Sequence, residues 1–261
     1  MTLRYPYECG LGLSLRPLLS DLRDLQQLTH LHLSSSLREI EYLPTAAFSA
    51  LTASSKLQYL NLCCCALPVD VWQHMFPAGR QLPHLTFLDI SAVKQPGEAL
   101  ATAPEGSCLV SCCPGLQYLN MKFLRCDADH LAPLRGLSML HTLRCGTAQF
   151  CTGEGLEPVC QLTGLRELEV LCRDTRNIRE GLLLQLTQLK QMTKLDYFDK
   201  ELGRPSVQLV AKVSPECLSI PLLLLQCGSP LKGWPSVALP HEPLAPLWVT
   251  RLCRAKHCNC H

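Results

Sequence analysis

Seven times along this chain an apolar residue occupies the first, fourth and sixth places of a short phrase, and the phrases recur every 24 to 31 residues. Their first places are Leu28, Leu57, Leu85, Leu116, Leu140, Leu165 and Met192, which head LTHLHL, LQYLNL, LTFLDI, LQYLNM, LHTLRC, LRELEV and MTKLDY. Apolar and polar residues alternate within each phrase, as in a half-buried strand. A unit this short cannot bury its apolar face alone, so neighbouring units must stack and stability becomes a sum of contacts between neighbours. Replacing a fourth-place leucine such as Leu60 or Leu119 by alanine is expected to cost about 2 to 5 kcal/mol.

The fullest phrase is LQYLNLCCCAL, with Leu57, Leu60, Leu62, Cys65 and Leu67 in the defining places of L-x-x-L-x-L-x-x-(N/C)-x-L. On that pattern the chain resembles the leucine-rich-repeat proteins over roughly residues 25 to 200. The ninth place varies, with Ser36, Val93, Leu124, Ala148 and Arg173 in the other phrases. One segment, Ser111 to Leu134, is similar to the cysteine-containing subtype found in F-box proteins. There Cys113 and Pro114 precede the first leucine, Leu124 holds the closing place and Cys126 follows two residues later. The resemblance implies an α/β solenoid, a right-handed horseshoe with parallel strands on the concave side and helices or irregular turns on the convex side. It also implies protein recognition as the work of the fold.

Three regions are expected: a partial N-terminal repeat or cap over 1–24, an array of about seven repeats over 25–205, and an irregular, disordered tail over 206–261. The tail holds 7 of the 19 prolines in its 56 residues and lacks the phrase. Helix-like spacing follows the strands at Val69 to Phe76, Asp127 to Leu137 and Glu180 to Leu189, and Pro44 and Asp127 read as helix-start residues. The stretch LPVDVWQHMF resembles the opening of an F-box. Leu67 already serves the repeat, however, and Val69, Trp72, Met75 and Phe76 have the spacing of a core-facing helix.

Composition narrows the chemistry. A net charge of +2 gives no basic footprint for nucleic acid, and no stretch reaches the roughly 18 apolar residues of a membrane span. The opening MTLRYPYECGLGLSL lacks the apolar core of a signal peptide. The 17 cysteines are therefore expected as reduced thiols in a cytoplasmic protein, with the nucleus or ciliary axoneme as alternatives. Cys65, Cys145 and Cys160 fall at core places, whereas Cys63 and Cys64 should face outward. The terminal CRAKHCNCH carries Cys253, His257, Cys258, Cys260 and His261 as weak zinc candidates, with spacing unlike a finger and cations alongside. No nucleophile elbow, phosphate loop, dinucleotide fingerprint or zinc-protease motif occurs. No cofactor and no catalytic residue is expected.

What remains is a surface. Side chains alternate along a strand, so the third, fifth, seventh and eighth places face away from the core. They give His30 and His32; Tyr59 and Asn61; Phe87 and Asp89; Tyr118, Asn120, Lys122 and Phe123; Arg144; and Glu167 and Glu169 as expected partner contacts. Tyr59, Phe87, Tyr118 and Phe123 fall on three consecutive rows and are expected to share one exposed aromatic patch. The partner expected is another protein. A ubiquitin-ligase adaptor is an alternative through the F-box likeness, and so is a scaffold role in the axoneme.

Overall fold

The computed structural model describes residues 1–4, 15–34, 43–98, 101–146, 158–172, 189–199 and 204–209. The chain divides into two compact units, Met1–Gly228 and Ser229–His261, and every described residue belongs to the first. The zinc candidates Cys253, His257, Cys258, Cys260 and His261, the tail beyond Leu209 and most of the expected helix at Glu180 to Leu189 lie outside the described residues.

The described strands form one sheet in sequence order. They are β1 (Thr2–Arg4), β2 (His30–His32), β3 (Tyr59–Asn61), β4 (Phe87–Asp89), β5 (Tyr118–Met121), β6 (Thr142–Gly146), β7 (Glu167–Cys172), β8 (Lys194–Asp199) and β9 (Arg204–Leu209). Every pair from β1 through β8 is parallel, and β9 runs antiparallel to β8. The register aligns Leu31, Leu60, Leu88, Leu119, Leu143, Leu168 and Leu195, the fourth place of each phrase. The repeat frame read from the leucines is therefore the hydrogen-bonding frame of the sheet. Two strands lie outside the phrases: β1 adds a parallel row before the first, and β9 crosses the 205/206 boundary at which the repeats were expected to end.

The first, fourth and sixth places build the core. Leu57, Leu60 and Leu62, Leu85, Leu88 and Ile90, and Leu116, Leu119 and Met121 are all buried, joined by Cys65, Val93 and Leu124 from the ninth place. The Cys65 thiol donates to the Leu33 carbonyl of the preceding row at 2.9 Å. Cys126 is also buried, at the eleventh place that Leu67 holds two rows earlier. Cys145 and Cys160 are buried as well. The fold is a leucine-rich-repeat solenoid: successive rows add one strand each to a single sheet in sequence order, and the described helical segments lie between those strands.

Those connections are α1 (Leu15–Asp24), a 3-10 helix at Thr45–Thr52, α2 (Val71–Met75), α3 (Gly106–Cys112), α4 (Ala128–Leu131) and a 3-10 turn at Ala132–Gly136. Pro44 and Asp127 precede the helical turns that were expected after them, and the Asp127 carboxylate accepts from the His130 amide at 3.1 Å. Val69 departs from the expected core-facing set and is 47 % exposed. The reason is local: Asp70 takes a left-handed conformation at φ 61°, so the helix starts at Val71 and helical periodicity does not extend back to residue 69.

Candidate protein-binding face

The side of the sheet opposite the core is organised along the rows. At the third place, the rings of Tyr59 and Phe87 stack with centroids 4.2 Å apart and planes 10° from parallel, and Phe87 and Tyr118 repeat the contact at 4.2 Å and 7°. His30 and His32 continue the stack on the other side of Tyr59, at 5.8 and 6.3 Å. At the far end the Arg144 guanidinium lies 5.3 Å from the centre of the Tyr118 ring, a cation over a π face. Parallel strands put identical places beside one another at about 4.8 Å. That spacing brings flat side chains of successive rows into face contact. Burial raises the Tyr118 phenol pKa, and the Arg144 charge partly offsets it.

Beyond the ladder the face becomes ionic. Glu169 accepts from Lys122 Nζ at 2.7 Å and forms an ion pair with Arg144, Nε to Oε2 3.2 Å, so one carboxylate on β7 joins β6 and the residue that follows β5. Arg144 and Glu169, with Thr142, Glu167, Leu168 and Lys194, line a shallow depression. Lys194 was not among the expected contacts, because its phrase is headed by Met192 and reads weakly.

Asn61, Asp89 and Asn120 differ from expectation. They are only 8 %, 9 % and 5 % exposed, and their side chains bend back onto their own backbone. Asn61 accepts from the Cys63 amide at 2.9 Å, Asp89 from the Ser91 amide at 3.0 Å, and Asn120 from the Lys122 amide at 3.3 Å. This is an Asx turn repeated in three rows. Asp89 further accepts from the Ser91 hydroxyl at 2.6 Å and the Asn120 amide at 3.1 Å, which compensates a carboxylate held largely away from water. These three residues shape the strand ends, and Ser91 belongs to the same network.

Each Asx turn is followed by a left-handed residue at the eighth place: Cys64 at φ 60°, Ala92 at 52° and Phe123 at 62°. Phe123 consequently stands outside the described ring contacts of the ladder and is 41 % exposed. The expected patch therefore consists of a half-buried ladder of three rings and one isolated, more exposed ring.

Burial raises the thiol pKa of Cys113 and of Cys145 far above the ordinary range and that of Cys126 to about 12. Among the described residues no three His, Cys, Asp or Glu side chains gather as a metal site. No helix among them is long and apolar enough to cross a membrane.

Fold and face together define a leucine-rich-repeat solenoid with an aromatic-to-ionic strand surface. No family model matches the chain, and no curated protein matches it. Among solved structures it is similar to an internalin C2 of Listeria monocytogenes, at 19 % identity over 68 % of this chain and 64 % of that one, with a TM-score of 0.42. It is also similar to an internalin, inlF, of the same organism, at 18 % identity over 68 % of this chain and 50 % of that one, TM-score 0.40. A plant peptide hormone receptor, RGFR1, solved in complex with RGF2, matches at 13 % identity over 69 % of this chain and 36 % of the receptor, TM-score 0.32. The chain thus spans less than two thirds of the length of each.

Proposed function

We propose that this chain is a non-catalytic interaction module that binds another protein across the strand face, with no cofactor. The observation that carries the reading is the arrangement of the face: a stack of His30, Tyr59, Phe87 and Tyr118 leads directly into the Lys122, Arg144 and Glu169 cluster. Aromatic and arginine side chains side by side on a rigid support are the residues that dominate protein interfaces. The stacking holds the rings in place before a partner arrives, which lowers the ordering cost of association. Because both faces of the Phe87 ring are covered by its neighbours, the partner meets ring edges and the tyrosine hydroxyl groups, with the separate, exposed Phe123 ring as a further contact.

The segment that resembles an F-box opening is committed to the solenoid core through Val71, Trp72, Met75 and Phe76. A ubiquitin-ligase adaptor, if it is the partner, would have to dock elsewhere on the chain. The test is site-specific photocrosslinking in cells, with a photoreactive phenylalanine at Phe123 and, as control, at Val69, an exposed residue between β3 and α2. A discrete protein crosslinked from position 123 and absent from position 69 supports the proposal. Equal labelling from both positions contradicts it.

A further inference from the structure

Strand alternation ends at the turn after β3, and with it the rule that neighbouring side chains point to opposite faces. Cys64 is left-handed at φ 60°, so it and Cys63 turn their thiols to the same side, with the Sγ atoms 3.5 Å apart. Cys63 is half-buried and Cys64 exposed, whereas Cys65 is buried in the core. The backbone beneath the pair is pinned. The Cys63 amide donates to Asn61 Oδ1 at 2.9 Å, the Cys64 amide to the Ser91 carbonyl at 2.9 Å and the Cys65 amide to the Leu62 carbonyl at 3.0 Å. The same turn in the next two rows carries Ser91 with Ala92 and Lys122 with Phe123, so the paired thiols are particular to this row.

Two thiols so placed have two outcomes, and geometry separates them. A direct disulfide joins α-carbons that usually lie about 4.4 to 6.8 Å apart, whereas consecutive α-carbons are held at about 3.8 Å. Chelation makes no such demand. A soft atom about 2.3 Å from each sulfur spans the existing separation at an S–X–S angle of about 100°. A four-ligand metal needs further donors, and among the described residues no group of three His, Cys, Asp or Glu side chains supplies them. The ligand that fits needs two thiols only and brings its own third substituent.

We propose that Cys63 and Cys64 form a two-thiol capture site for trivalent organoarsenicals of the type R–As(OH)2. Two As–S bonds form and two As–O bonds break. Each thiol proton leaves with a hydroxide as water, and arsenic stays trivalent, so no oxidant or reductant is required. Burial raises the Cys63 thiol pKa, with the Ser91 side chain partly offsetting it. Cys64, the exposed thiol, makes the first bond and Cys63 closes the ring.

The test treats the native, full-length chain with phenylarsine oxide in the presence of excess glutathione, followed by tryptic digestion and mass spectrometry. The peptide Leu57–Arg80 contains Cys63, Cys64 and Cys65 and no other cysteine. The expected result is one phenylarsenic unit on that peptide, replacing two hydrogens and removable by 2,3-dimercaptopropanol. It is lost in Cys63→Ser and in Cys64→Ser and retained in Cys108→Ser, with circular dichroism confirming that each variant is folded. An adduct that survives either of the first two substitutions overturns the proposal. So does a native peptide that stays unmodified while the chain unfolded in urea takes up the reagent.

Discussion

Phe87 and Tyr118 lie face to face across adjacent rows, with ring centroids 4.2 Å apart and planes 7° from parallel. Phe87 makes the matching contact with Tyr59 on its other side, so it is the one ring of the ladder stacked between two phenols. An aromatic pair contributes about 0.5 to 1.5 kcal/mol beyond area burial. Phe87→Leu keeps most of the apolar volume and removes both stacks. It should lower unfolding stability in urea by about 1 to 3 kcal/mol, and a loss below about 0.5 kcal/mol would show that the stack is incidental.

Phe123 combines exposure with a left-handed backbone at φ 62°, a conformation that disfavours bulky residues. Glycine removes that strain and costs unfolded-state entropy in exchange. Phe123→Gly should therefore leave stability unchanged or raise it by up to about 1 kcal/mol, while partner affinity falls. Thermal and urea unfolding check the first half, and a destabilisation above about 1 kcal/mol would mean that the ring packs against the solenoid.

Asp89 is the acceptor shared by the Ser91 amide, the Ser91 hydroxyl and the Asn120 side chain. Truncation to alanine leaves those donors without their acceptor in a largely buried place. Hydrogen bonds to a charged group contribute about 1.5 to 3 kcal/mol, so Asp89→Ala is expected to cost about 2 kcal/mol or more in equilibrium unfolding. Asp89→Asn keeps an acceptor for the turn and should cost less. Equal losses in the two variants would separate the turn from this side chain.

Acid sensitivity has a local contributor at the start of α4. Hydrogen bonding to His130 holds the Asp127 carboxyl below the ordinary aspartate range. A depressed folded-state pKa stabilises the fold above the unfolded value and is lost as pH falls through the folded one. The native chain should therefore lose stability on acidification below about pH 4, and Asp127→Asn should flatten that limb. Asparagine still caps a helix, and the pair is partly exposed, so the change at neutral pH should stay below about 1 kcal/mol. An unchanged acid profile in the variant would assign the sensitivity to other groups.

The sheet was legible because its information is periodic. Leucines at Leu31, Leu60 and Leu88 set strand position, register and inward face together. Lys122, Arg144 and Glu169 were placed on the outer face by the same alternation, although nothing in their spacing told that one carboxylate would bridge the two cations. Asn61, Asp89 and Asn120 were assigned to the surface because alternation gives the direction of the Cα–Cβ bond. Whether a short amide or carboxylate then reaches a partner or its own backbone depends on the turn that follows. Val69 was placed in the core because a helical period was extended across Asp70, whose left-handed conformation carries no sequence signal as plain as glycine. The short strand β1 offers three residues and no complete phrase, and the antiparallel β9 follows no repeat.

The most direct measurement is the dissociation constant, by titration calorimetry, of the partner crosslinked at position 123, for the native chain, Phe123→Glu and Val69→Glu. A binding surface centred on the strand face predicts at least a tenfold weakening for Phe123→Glu, about 1.4 kcal/mol, with Val69→Glu indistinguishable from native. Equal affinities for all three, or a loss confined to Val69→Glu, would contradict it.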